Sequence, residues 1–114
     1  MRNCRSAECE FTYKTKGIYY MQPKINKDTV MKISKNVKCR KIEEYFIVLN
    51  IDSGIFYTLN EMAECFWKMF TEQKTVDFIC NYIVKQYETT YEEIFNDIKA
   101  FITYFTNEKI LSIQ

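Results

Sequence analysis

The chain has 114 residues, of which 47% are hydrophobic and 17% aromatic, and its net charge is +1. This length suits one small domain rather than two independent cores, and this composition excludes a disordered chain. No apolar run approaches the roughly 18 residues of a membrane span, and the polar N-terminus lacks the apolar segment of a signal peptide, so we expect a cytoplasmic protein.

Charge is divided unevenly along the chain. Residues 1–33 carry seven Lys and Arg against three Asp and Glu, whereas residues 34–114 carry nine against twelve. The second part is therefore mildly acidic and has no excess of basic residues to attract the phosphates of nucleic acid. Residues 1–22 are predicted to be an N-terminal extension: a solvated arm, an interaction arm or a strand that pairs with the domain.

Few residues of the chain point to catalysis or metal binding. There is no His, the five Cys form no CxxC pair, and no Gly-rich phosphate loop occurs, so we predict neither an enzyme nor a bound cofactor. Cys39, Cys65 and Cys80 lie in apolar-patterned segments and are predicted to be buried. Cys4 and Cys9 leave a metal site or a cross-link open.

Three strands are predicted in the first half of the domain. After an irregular lead-in over residues 23–35, an edge strand over 37–42 is followed by a nearly continuous apolar strand over 45–51, which we expect to be covered on both faces or nearly so. A turn with Gly54 then returns the chain into a third strand over 55–59. The three strands form an antiparallel meander.

Three helices follow the meander. Asn60 is a predicted N-cap for helix one, to about Phe70, whose apolar face holds Met62, Cys65, Phe66, Met69 and Phe70. Thr75 caps helix two, and Thr90 with Glu93 forms a capping box for helix three. The predicted fold class is α+β, winged-helix-like, with a three-stranded antiparallel meander followed by three α-helices.

Helix three has a broad apolar arc of about 120°. The arc contains Tyr91, Ile94, Phe95, Ile98, Phe101, Ile102 and Phe105, with Tyr104 outside it. This surface exceeds what a small core needs. Either part of the arc lines a groove, or the whole arc belongs to the core.

The stretch from Tyr45 to Trp67, YFIVLNIDSGIFYTLNEMAECFW, resembles the PqqD family in its strand, Gly turn, aromatic strand, Leu-Asn pair and late Trp. The resemblance extends over residues 23–113. It implies a domain that recognises the leader segment of a ribosomally made precursor peptide and presents it to a modifying enzyme, often a radical SAM enzyme. In that family the leader adds as a strand beside strand three, against helix three.

The resemblance and the residues together give the expected peptide-binding site. Strand three is the last of the meander, and no Lys or Pro guards its outer edge, so a peptide is able to add there. The expected binding residues are Ile55, Phe56, Tyr57, Thr58 and Leu59 of strand three and Ile94, Ile98, Phe101 and Phe105 of helix three. The alternative is that the N-terminal extension or a second subunit covers this edge.

Two other functions fit the same architecture. A winged-helix DNA-binding protein needs a basic recognition helix, but helix three carries Glu92, Glu93, Asp97 and Glu108 against two Lys. A homodimeric assembly subunit would use the edge of strand three for self-pairing instead of peptide binding. The sequence therefore favours a peptide-binding module over both.

Overall fold

The computed structural model describes residues 23–114, so the predicted N-terminal extension, with Cys4 and Cys9, lies outside the described residues. Three strands followed by three helices form the body of the domain, which confirms the predicted α+β layout. The elements in chain order are β1 (Met31–Ile33), β2 (Val37–Ile42), β3 (Tyr45–Asn50), β4 (Phe56–Leu59), α1 (Glu61–Thr71), α2 (Val76–Gln86), α3 (Tyr91–Asn107) and β5 (Leu111–Ile113).

The meander has the predicted order, with β3 between β2 and β4 and both pairings antiparallel. Gly54 has a φ of 74°, in the left-handed region that a side chain would disfavour. The turn places Ile55 so that its carbonyl accepts a hydrogen bond from the Asn50 N–H at 2.9 Å. This bond sets the β3–β4 register, in which Val48 faces Tyr57 and Phe46 faces Leu59.

The prediction that residues 23–35 are an irregular lead-in is wrong for β1. This strand pairs antiparallel with β5, so that Met31 lies opposite Ile113 and Ile33 lies opposite Leu111. Met31 and Leu111 are buried, and the pairing ties the two ends of the described chain together. The strand escapes sequence reasoning because three residues show no periodicity and their partner lies about 80 residues away.

Each helix begins at the predicted cap. The Asn60 side chain accepts a hydrogen bond from the Ala63 N–H at 2.9 Å, and Thr75 accepts one from Phe78 at 3.1 Å. Thr90 and Glu93 form both bonds of the capping box. These bonds satisfy N–H groups that lack a partner within the helix, so each strand-to-helix or loop-to-helix boundary is set locally.

The buried face of α1 is rotated relative to the prediction. Ala63 and Trp67 are buried, whereas Cys65 and Met69 are half-buried. Trp67 accounts for the rotation because its ring lies 6.5 Å from that of Phe46 on β3, which turns this face toward the sheet. Of the three cysteines predicted to be buried, Cys80 is buried, but Cys65 is half-buried and Cys39 is exposed on the edge strand β2.

The prediction that β3 is covered on both faces, or nearly so, is wrong at Tyr45. Phe46, Val48 and Asn50 are buried, but Tyr45 on the opposite face is 56% exposed. Core residues contributed by the three helices lie on the side of the sheet that Phe46 and Val48 face. A continuous apolar run therefore marks here a strand with one buried face and one apolar face that is exposed at Tyr45 and half-buried at Ile47 and Leu49.

A buried carboxylate joins β2 to α1 and gives the fold a pH dependence. Burial alone would raise the pKa of Glu64, but Lys41 and Lys68 donate hydrogen bonds to its carboxylate at 2.7 and 2.9 Å and lower the pKa below its ordinary value of 4.5. Since the pKa is lower in the folded state, this stabilisation is present above pH 4.5 and is lost as the pH falls through the folded-state pKa.

We expect Glu64→Gln to lower the free energy of unfolding by about 1–2 kcal/mol at pH 7, where charge-assisted hydrogen bonds are lost. The difference from the unsubstituted chain should shrink as the pH falls from about 5 to 3. Urea unfolding at several pH values measures both quantities. A difference that stays constant across this range would contradict the role given to Glu64.

Candidate functional site

The outer edge of β4 is the end of the three-stranded sheet among residues 23–114. Hydrogen-bonded pairs alternate along an antiparallel ladder, and the bond from Asn50 to Ile55 fixes which residues of β4 face β3. The backbone groups of Tyr57 and Leu59 consequently point toward β3. Those of Phe56 and Thr58 point away from it, at the edge, where they are placed to pair with a further strand.

Helix α3 stands beside this edge and is joined to β4 through Tyr57. The Tyr57 hydroxyl donates a hydrogen bond to Oε1 of Glu108, just past the end of α3. The Tyr57 ring meets the rings of Tyr104 and Phe105 edge-on, with centroids 6.0 and 5.2 Å apart. Because Tyr57 is half-buried, it forms the floor between the strand edge and the helix.

Tyr104 and Glu108 belong to the site, although the apolar arc of α3 omitted both. Asp97, Phe101, Tyr104 and Glu108 follow one another at spacings of four, three and four residues, so they share one side of the helix. Tyr104 and Asp97 are buried. The sequence contains this spacing, but two carboxylates interrupt the apolar periodicity on this side of the helix.

The five residues predicted on strand three have distinct environments. Phe56 is 64% exposed and Ile55, in the turn before β4, is 50% exposed. Thr58 is exposed, Tyr57 half-buried and Leu59 buried. The alternation follows from the pleat, which turns Tyr57 and Leu59 toward the helices and Phe56 and Thr58 toward solvent.

The four residues predicted on helix three, Ile94, Ile98, Phe101 and Phe105, are all buried. Phe105 lies against Tyr57, whereas Phe101 packs against Phe66 and Phe70 of α1, with ring centroids 5.5 and 5.9 Å apart. In this structure they belong to the core behind the edge rather than to an exposed groove wall. Contact between any of the four and a peptide stays a prediction.

Within the described residues, the thiols and the potential metal ligands are not arranged for covalent or metal chemistry. Burial, with a smaller effect of Asp77, raises the pKa of the Cys80 thiol to about 12, and burial also raises that of Cys65. Both thiols are therefore protonated, and poor nucleophiles, at neutral pH. Within residues 23–114, potential metal ligands do not gather in groups of three or more, and no helix is long and apolar enough to cross a membrane.

The Tyr57 hydroxyl is expected to contribute a modest part of the stability of this edge. Tyr57→Phe should lower the free energy of unfolding by about 1 kcal/mol, the usual net value of one hydrogen bond. Tyr57→Ala should lower it by about 2–4 kcal/mol, because the ring contacts with α3 are also lost. Thermal unfolding followed by circular dichroism compares the stability of the two variants. Equal losses of stability would contradict separate contributions from the hydroxyl and the ring.

Comparison with known proteins identifies the family of the chain. The solved structure described as "TbiB1 in Complex with the TbiA(beta) Leader Peptide" has a TM-score of 0.67 and 22% sequence identity, covering 71% of this chain and 94% of that one. At this identity the likeness concerns the fold. Among curated proteins there is no significant match. The sequence profile of the family described as Coenzyme PQQ synthesis protein D (PqqD) matches residues 45–111, more than half of the chain. The chain therefore belongs to the PqqD family.

Proposed function

We propose that this chain binds the leader segment of a ribosomally synthesised precursor peptide as an added antiparallel strand beside β4. It then presents the peptide to a modifying enzyme, which we infer to be of the radical SAM class, and takes no catalytic part itself. The observation that carries the proposal is the unguarded edge of β4. Phe56 and Thr58 direct their backbone groups outward there, and Tyr57 provides a half-buried floor.

Family membership and the fold of TbiB1 support this assignment. The family profile covers β3, β4, all three helices and the first residue of β5, and thus the complete surroundings of the edge. TbiB1, whose solved structure contains a leader peptide, shares the fold over 71% of this chain. Strand addition is also the mode of binding that an edge strand without Lys or Pro permits.

The energetics assign separate tasks to the leader's backbone and side chains. Ordering a flexible peptide costs about 1–2 kcal/mol per residue, and each ladder hydrogen bond returns a net of about 0.5–1.5 kcal/mol. The backbone hydrogen bonds therefore set the register of the leader but contribute little net affinity. Two or three apolar leader side chains, at about 1.5–3 kcal/mol each, must supply the affinity by burial.

Those apolar side chains would lie on the helix side of the added strand, next to Tyr57. Alternate residues of the leader face this side, since side chains of a strand point to opposite faces in turn. Contact with Ile94, Ile98, Phe101 or Phe105 would require the packing between β4 and α3 to open, because all four are buried. The residues that the leader can contact without such an opening are therefore Phe56, Tyr57 and Thr58 of β4.

Isothermal titration with synthetic leader peptides tests the proposal. The peptides are taken from precursor reading frames adjacent to the gene, and each apolar leader residue is changed to Ala in turn. We expect saturable binding that weakens at least tenfold when an apolar anchor is lost, as about 1.4 kcal/mol corresponds to a factor of ten. Absence of binding, or affinity that no Ala substitution changes, would contradict it.

A further inference from the structure

The outer face of the three-stranded sheet, opposite the helices, is an exposed apolar surface with a basic side. The pairing register places eight residues on it in three cross-strand rows. We call these residues the outer face: Lys38, Arg40, Ile42, Tyr45, Ile47, Leu49, Phe56 and Thr58. Phe56, Tyr45 and Ile42 are 64%, 56% and 45% exposed, and Ile47 and Leu49 between them are half-buried.

The inner residues of β2 confirm the assignment of faces. Lys41 donates a hydrogen bond to Glu64 of α1, and Val37 packs against the core. Their neighbours Lys38, Arg40 and Ile42 must therefore project from the other side, because successive side chains of a strand alternate. All three are exposed.

Charge is segregated across this face. The two rows that cross all three strands begin at Lys38 or Arg40 on β2 and continue into Leu49 and Phe56, or Ile47 and Thr58. The two basic groups therefore lie on β2, and the apolar side chains occupy β3, the Phe56 position of β4 and the Ile42 position of β2. None of the eight residues is acidic, and Glu43 and Glu44 lie beyond the face, in the turn between β2 and β3.

We propose that the outer face docks the enzyme that modifies the leader-bearing precursor, through an apolar patch bordered on one side by carboxylates. This inference rests on the proposed function. Contiguous exposed apolar surface typically marks an interaction site, and Lys38 and Arg40 make an acidic border complementary to it. A second copy of the chain would bring the same two cations and no carboxylate from its own outer face.

The outer face adjoins the edge of β4 at which the leader is proposed to bind. Phe56 contributes its side chain to the outer face and its backbone to the edge of β4. A leader strand paired with β4 would continue the sheet, and alternate side chains of the leader would extend the outer face beyond Phe56. An enzyme seated on β3 and β4 would thus lie directly beside the bound leader.

Two variants of the outer face test the inference, each with the purified enzyme that modifies the cognate precursor as the probe. Lys38→Glu/Arg40→Glu reverses the basic side, and Ile42→Ser/Tyr45→Ser removes exposed apolar surface away from β4. The control Lys85→Glu/Lys99→Glu changes the net charge equally at exposed helix positions. Enzyme affinity is measured by biolayer interferometry without leader, and leader affinity is measured separately by titration.

We expect both outer-face variants to weaken enzyme binding at least tenfold, while leader affinity and the control variant stay unchanged. Enzyme binding should also weaken with rising salt. Unchanged enzyme affinity in both variants would overturn the inference, and so would an unsubstituted chain that is dimeric by light scattering and becomes monomeric in both variants. Failure of the proposed function is distinct from these results, because it appears as absent leader binding by the unsubstituted chain.

Discussion

Thr58→Pro is expected to weaken leader binding by about ten- to hundredfold while the domain stays folded. Proline removes the backbone N–H that Thr58 directs to the outer edge of β4, and its ring projects toward an added strand. One lost hydrogen bond and the steric conflict together correspond to about 1.4–2.8 kcal/mol. Isothermal titration with the leader peptide measures the loss.

The domain should tolerate this proline because Thr58 does not bond to β3. Its partner Ile47 faces it across a pair without ladder bonds, and Pro is accepted on edge strands where the missing N–H faces outward. Thr58→Val keeps the N–H and the shape of the side chain, so it should bind the leader as the unsubstituted chain does. Equal affinities for the Pro and Val variants, with both folded, would place the leader elsewhere.

Phe101→Ala should lower the free energy of unfolding by about 3–5 kcal/mol, the usual cost of removing a buried aromatic ring. The Phe101 ring lies 5.5 Å from that of Phe66, 5.9 Å from Phe70 and 4.7 Å from Phe105, so its loss leaves a cavity where α1 meets α3. Since Phe105 also contacts Tyr57, the floor beside the edge of β4 should loosen. Urea unfolding measures the loss of stability.

The matched control for this core variant is Phe78→Ala. Phe78 is 46% exposed on α2, and its ring accepts a cation–π contact from Lys74 at 4.6 Å. We expect this second truncation to cost about 1 kcal/mol or less. Similar losses for the two variants would show that Phe101 is not part of a tightly packed core.

Much of the architecture follows from local signals in the sequence. Asn60, Thr75 and Thr90 start their helices as predicted, since capping depends on hydrogen bonds between residues three apart. The meander follows for a similar reason, because the apolar runs, the Gly54 turn and the short connections act within about 25 residues. Local chemistry determines these elements, so no knowledge of the tertiary fold was needed.

The differences arise where partners lie far apart in the chain. The β1–β5 pairing and the rotation of α1 toward Phe46 depend on contacts that no window of neighbouring residues contains. The same holds for Tyr104, which is buried because Tyr57 stands against it. The outer face of β3 differs from the prediction for another reason, because apolar composition alone does not determine whether other residues of the chain cover a face.

Hydrogen exchange of backbone amides, read by NMR with and without saturating leader peptide, tests strand addition at β4 most directly. The account predicts that the amides of Phe56 and Thr58 become protected at least tenfold when the leader binds. Those of Cys39 and Lys41, which point outward at the opposite edge on β2, should not change, because the bond from Ile51 to Asn36 fixes their direction. Protection at Cys39 and Lys41 with none at Phe56 and Thr58 would contradict the account.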